Sequence, residues 1–304
     1  MTFNNFRYKK DEFNTEVTIL SFTKRQFTPS VVVPDTIEGL PVRHIAKNFI
    51  KGKTEIFSVT LPDTVVSIGE SAFEGCEGLC TVNMPKNLET VGDRAFFGCK
   101  SIEKIEFFSN LVSIGNSAFE GCSSIKEVTL SDTLTSIGNR AFYGCESMRI
   151  CDLPKSLASM GEEAFYKCSA LERATIPSSL KIIPKYAFLD CCNLKDVSFE
   201  EGIEEIGVAA FVRSGITNAI LPESVRIIRD EAFRRCCNLS VFRLPDNIKE
   251  IGSFILGRTK LDHFVFSQKF LDTYVGDDLD EFFELLFNSG VHTREVLLRL
   301  PTKE

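Results

Sequence analysis

Eleven cysteines and three histidines are the residues with which this chain could bind a metal, exchange disulfides or supply a catalytic thiolate. Their spacing points elsewhere. Seven of the cysteines, Cys76, Cys99, Cys122, Cys145, Cys168, Cys191 and Cys236, hold one position in a repeat, each three residues after a phenylalanine, and Ser214 fills that position in the one coil without it. In stacked coils such side chains run parallel about 4.8 Å apart, whereas a disulfide needs Cβ atoms converging to about 3.8 Å. A column of small, weakly polar, buried side chains accounts for the spacing. Cys151 stands at a strand position held elsewhere by valine and reads as core, while Cys80, Cys192 and Cys237 fall outside the column. There is no C-x-x-C pair, and His44, His263 and His292 lie far apart. No metal site is expected.

Two serines sit in phrases that superficially resemble a nucleophile elbow, Gly69-Glu70-Ser71-Ala72-Phe73 and Gly115-Asn116-Ser117-Ala118-Phe119. Both lack the closing glycine of that motif, and other coils place Arg94, Arg140 or Glu163 at the serine position. No phosphate-binding loop, dinucleotide fingerprint or H-E-x-x-H is present. The expectation is a chain with no catalytic residue and no cofactor.

The elements that position these residues are copies of one phrase. The Ala-Phe pair recurs at Phe73, Phe96, Phe119, Phe142, Phe165, Phe188, Phe211 and Phe233, at steps of 23 residues and finally 22. A fixed period of this length signals a solenoid, whose units bury their apolar faces only against their neighbours. Eleven apolar-x-apolar phrases run from Val31-Val32-Val33 to Phe264-Val265-Phe266, and the unit reads L-x-x-V-x-L-P-x-x-L-x-x-I-G-x-x-A-F-x-G-C-x-x. Alternation at V-x-L predicts a strand, which the following proline ends. Coils returning in one direction pair these strands in parallel. Asp93, Asn116, Asn139 and Asp230 precede Ala-Phe like helix caps, which predicts a short helical turn on the opposite wall. The glycine after the isoleucine gives way to Pro184 in one coil, so close backbone approach explains it better than positive φ. The second glycine, at 75, 98, 121 and 144, becomes Lys167, Asp190, Arg213 and Arg235, so that position faces solvent.

The ends depart from the period. Residues 1–30 hold the β-rich run Val17–Phe22 and read as a β-type N-terminal cap, followed by a solenoid over 31–271. Residues 272–304 read as a helical C-terminal cap, with Leu279, Phe282, Phe283, Leu286 and Phe287 on one stripe and acids in the first turn. The segment 295–301 fits a second helix or a last strand, with a slight lean towards helix.

The phrases Val59-Thr60-Leu61-Pro62 and Ile68-Gly69-Glu70-Ser71-Ala72-Phe73-Glu74-Gly75-Cys76, repeated over roughly residues 31–266, resemble the BspA-type (Treponema pallidum-type) leucine-rich repeats. Val33-Pro34-Asp35-Thr36-Ile37-Glu38-Gly39-Leu40-Pro41-Val42 is similar to the opening coil of that family. The resemblance implies an α/β solenoid, a right-handed leucine-rich-repeat coil used for protein–protein contact and, in several members, for adhesion from the cell surface.

Composition limits the partners. A formal charge of −7 argues against a nucleic-acid surface. No apolar run reaches the roughly 18–20 residues of a membrane helix, so membrane insertion is not expected. The first residues lack a signal-peptide layout, which leaves localisation open: cytoplasmic as written, although relatives are often exported. A monomer with a protein partner is expected. On the strand wall, Glu103, Lys126, Arg149, Glu172 and Lys195 alternate in charge as a solvated ladder. Later coils instead present Ile150, Ile220, Val241 and Val265 beside Arg173, Arg243 and His263. Apolar side chains rimmed by arginine mark a contact surface, so Ile150, Arg173, Ile220, Val241, Arg243 and His263 are the candidate partner-binding residues. Their occupant is either a protein partner, with the chain an adhesin-like binding module, or the chain's own C-terminal helix. The competing function is an intracellular scaffold or spacer attached through that helix.

Overall fold

A computed structural model describes residues 1–23, 29–270 and 284–287. The chain divides into two compact units, Met1–Leu157 and Ala158–Glu304. Each is a parallel-strand β-solenoid with almost no helix. Among the described residues helix is confined to Gln268–Phe270 and 284–287, and no helix is long and apolar enough to cross a membrane.

In the first unit, Thr2–Phe3, Phe6–Lys10 and Val17–Phe22 pair antiparallel, and Val17–Phe22 then lies parallel to Leu40–Ile45. The V-x-L phrases form short parallel ladders: Ser30–Val32 with Ser58–Thr60 and Thr81–Val82, then Lys104–Glu106 with Glu127–Thr129. A second row of parallel strands, absent from the sequence expectation, follows the bend after each strand phrase. It comprises Ser67–Ile68, Thr90–Val91, Ser113–Ile114 and Ser136–Ile137. The second unit repeats the plan. Arg173–Ile176 pairs with Asp196–Phe199, and Asn218–Ile220 with Val241–Arg243 and His263–Val265. Its second row runs from Ile182–Ile183 to Glu250–Ile251.

The Ala-Phe wall is not helical, and its hydrogen bonds give the reason. Alternate amides leave the coil: Ser71 N–H, Phe73 N–H and Gly75 N–H donate to the carbonyls of Asp93, Ala95 and Phe97 at 2.9, 2.7 and 2.7 Å. The amides between them close turns, Ala72 onto Gly69 and Glu74 onto Ser71. Amides committed to the next coil cannot make the i→i−4 bonds of a helix. The turns need left-handed residues instead: Ser71, Arg94, Ser117 and Arg140 have φ of 53–56°, and Gly75, Gly98, Gly121 and Gly144 have φ of 69–74°. Lys167, Asp190, Arg213 and Arg235 take the same conformation at 57–63°, a cost of roughly 1 kcal/mol or more each that the inter-coil bonds offset. The first glycine behaves as close approach requires. A Cβ on Gly69 would meet Lys47 N at 2.7 Å and Ile45 O at 2.8 Å.

The phenylalanines fill the centre. Phe73, Phe96, Phe119 and Phe142 stack with centroids 4.8, 5.1 and 5.4 Å apart and planes within 7° of parallel. Phe165, Phe188, Phe211 and Phe233 stack at 5.4, 5.3 and 5.2 Å in the second unit, with planes within 8° of parallel. The C-terminal cap expected over 272–304 lies outside the described residues except at 284–287, as does the segment 295–301. Leu285 O and Leu286 O accept hydrogen bonds from Phe254 N–H and Leu256 N–H at 2.7 and 3.0 Å, so this turn closes the last coil's ladder.

Candidate protein-binding surface

The cysteine column is structural. Cys76, Cys99, Cys122, Cys145, Cys191 and Cys236 are buried and free, and each thiol donates to the backbone carbonyl of a preceding coil at 3.0–3.3 Å. Except for Cys76, whose acceptor is Ile50 O, those carbonyls belong to the stacked phenylalanines. Ser214, equally small and buried, takes the position in one coil, with its Oγ 3.2 Å from Cys236 Sγ. Burial pushes the Cys76 thiol up to about 11 and those of Cys151 and Cys236 to about 12, so thiolate chemistry is suppressed. Among the described residues no cluster of His, Cys, Asp or Glu could hold a metal ion.

One polar trio escaped the sequence reading. His44 Nδ1 lies 2.7 Å from Ser67 Oγ and its Nε2 lies 2.8 Å from Glu16 Oε1. Register explains it: His44 is the cross-strand neighbour of Thr18 and Ser67, and Ser67 belongs to the outward column that continues as Thr90, Ser113 and Ser136. Glu16 is two residues before Thr18, and the parallel pairing of Val17–Phe22 with Leu40–Ile45 brings it to His44.

The expected surface residues are brought together in part. Asn218, Val241 and His263 form one cross-strand column, and Ile220, Arg243 and Val265 another. Both face outward, because Ala219, Phe242 and Phe264 between them point into the core. Ile220 is 56% exposed, Val241 and Val265 are half-buried, and His263 is exposed. Arg243 reaches Glu223 at 3.3 Å, and both side chains are about half in solvent, so the pair contributes little and remains available to a partner. Arg173 lies in the separate pair of strands Arg173–Ile176 and Asp196–Phe199, where it lines a 260 Å³ recess with Asp196 and Asn218. Ile150 belongs to the first unit, where it bridges to Glu127 outside any strand. The alternating charges appear as a 2.8 Å pair between Lys126 and Glu103.

These coils match the profile of the BspA type leucine-rich repeat region in six copies, over residues 43–172 and 159–275. Among solved structures, the leucine-rich repeat protein of T. pallidum (TpLRR) is 25% identical with a TM-score of 0.52, over 70% of this chain and 88% of that one. The pneumococcal vaccine antigen PcpA is 23% identical with a TM-score of 0.54, over 87% of this chain and 80% of its own. A leucine-rich repeat protein from Eubacterium ventriosum aligns at 16% identity with a TM-score of 0.50, over 84% and 93% of the two chains. No curated protein matches the chain. With the repeat profile covering residues 43–275, the chain belongs to the BspA-type leucine-rich repeat family.

Proposed function

We propose that this chain is a non-catalytic protein-binding repeat module, adhesin-like in its use, and that the sheet of Asn218–Ile220, Val241–Arg243 and His263–Val265 receives the partner. The observation that carries this reading is Ile220, 56% exposed in an outward column beside Arg243, which stands at the column's centre. A branched apolar side chain held on a rigid sheet loses little entropy on burial, and arginine with apolar neighbours is typical of an interface centre. Leu286 and Phe287 are buried against the chain's own residues, which favours a binding module over a scaffold attached through a free C-terminal helix.

The double variant Ile220→Asp/Arg243→Glu tests the reading. Both positions are exposed, so the thermal melt should stay within the ordinary surface range, about 0.5 kcal/mol per site. Partner proteins captured by the wild-type chain should be lost from the variant. Equal capture by the two chains, with equal melts, would remove this sheet from consideration.

A further inference from the structure

The strand wall of the first unit is interrupted at residues 150–153. This coil contributes one isolated bridge, Glu127 with Ile150, and residues 151–153 form no strand. In several other coils the last apolar residue of the strand phrase donates its amide to the following coil: Val33 to Thr60 O at 2.9 Å, Phe107 to Thr129 O at 3.0 Å and Leu244 to Val265 O at 3.0 Å. Asn83 preserves that link by mimicry, since its side-chain amide both accepts from Leu61 N–H and donates to Leu61 O, at 2.8 and 2.7 Å. Leu130 N–H has no acceptor among the described residues. In a parallel ladder successive residues direct their peptide groups to opposite sides, and Thr129 faces Lys104–Glu106. The Leu130 amide therefore lies on the open side. Leu130 is also half-buried where Leu61, Phe107 and Leu153 are buried.

A groove of about 740 Å³ opens at this interruption, within the range of clefts that hold ligands. Val128, Leu130 and Leu153 line it, and its rim carries Glu127, Asp132 and Asp152 against Lys155. It thus offers a strand edge left open beyond the Glu127–Ile150 bridge, apolar lining and a net negative rim. An open edge is completed by another extended chain, and the rim selects one that is basic.

We propose that this groove takes an extended, lysine- or arginine-bearing segment of a partner protein, which adds through main-chain hydrogen bonds to the strand edge left open beyond the Glu127–Ile150 bridge, where the Leu130 amide lies. The site lies on the other unit from the Ile220 sheet and goes beyond the function proposed above. Three eight-residue peptides test it by fluorescence anisotropy against the full chain: alternating lysine and valine, alternating glutamate and valine, and the lysine peptide N-methylated at every second residue. The lysine peptide should bind saturably, and the other two at least tenfold more weakly. Glu127→Lys/Asp132→Lys, both exposed positions, should weaken the lysine peptide at least tenfold with an unchanged melt. Ile220→Asp/Arg243→Glu should leave it unaffected, which separates this site from the other surface. No binding by the lysine peptide, equal binding by its N-methylated form, or insensitivity to the charge reversal would each overturn the proposal.

Discussion

Each column thiol serves its coil as a hydrogen-bond donor in a place too dry to ionise. Because burial raises the folded-state value of Cys76 to about 11, and of Cys151 and Cys236 to about 12, the folded chain keeps protons that the unfolded chain releases near pH 9. Their contribution to stability is complete below about pH 9 and is lost as pH rises through 11–12, at about 1.4 kcal/mol per pH unit for each thiol in that window. Urea midpoints should fall steeply from pH 9 to 10.5, and Cys76→Ser should make the fall shallower while keeping the donor. A flat profile over that range would mean the column is solvated. The phenylalanine beside each thiol supplies the larger energy. Phe119 is fully buried between Phe96 and Phe142, so Phe119→Ala should cost about 3–5 kcal/mol in chemical denaturation. A loss under about 1 kcal/mol would place it outside the core.

At the scale of the element, the turn wall is tied across coils by charge as well as by amides. Glu74 receives Arg94 through two hydrogen bonds, at 3.1 and 2.8 Å, and Lys51 at 3.1 Å; the Arg94 guanidinium also lies 3.8 Å over the Phe97 ring. Glu120 and Arg140 repeat the motif, with Arg140 over Tyr143 at 4.2 Å. The Arg94 guanidinium is the main reason the Glu74 carboxyl is lowered to about 2. The stability it confers is present above the ordinary carboxylate range and lost as pH falls from about 4.5 through 2. Glu74→Gln should therefore lower the melting temperature at pH 7 and have little effect at pH 2. An equal loss at both values would show that shape, not charge, holds the turn.

At the scale of the molecule, each unit is a stack whose coils contact only their neighbours, so its ends decide where unfolding starts. The last coil is closed by the turn at 284–287, through the bonds to Phe254 and Leu256 and the edge contact of Phe264 with Phe287 at 6.3 Å. A chain ending at Phe270 should show faster amide exchange at Phe254 and Leu256, with Phe96 and Phe119 in the first unit unchanged. If exchange at Phe254 and Leu256 does not change, the turn is not their cap.

Much of this was legible in the chain because a repeat writes the same physics many times. Alternation at V-x-L marked the inward residues, Pro184 in a glycine position ruled out positive φ there, and the shared repeat position of seven cysteines, with Ser214 in one coil, read as a column of small buried side chains. The turn wall was misread as helix because Asp93 and Asn116 resemble caps locally, whereas the acceptors that overrule the helix lie one coil away. The Ser67–His44–Glu16 contact depends on how the N-terminal strand Val17–Phe22 registers against Leu40–Ile45, which no periodicity records because residues 1–30 lie outside the repeat. The broken ladder left a faint trace: Cys151-Asp152 replaces residues that favour strand. The sequence by itself determined period, inside and outside, because those follow from burying one face of a repeated unit. Which backbone groups stay open, and which outward side chains share a sheet, was decided only by tertiary structure, because hydrogen bonds between coils join residues some twenty-three positions apart.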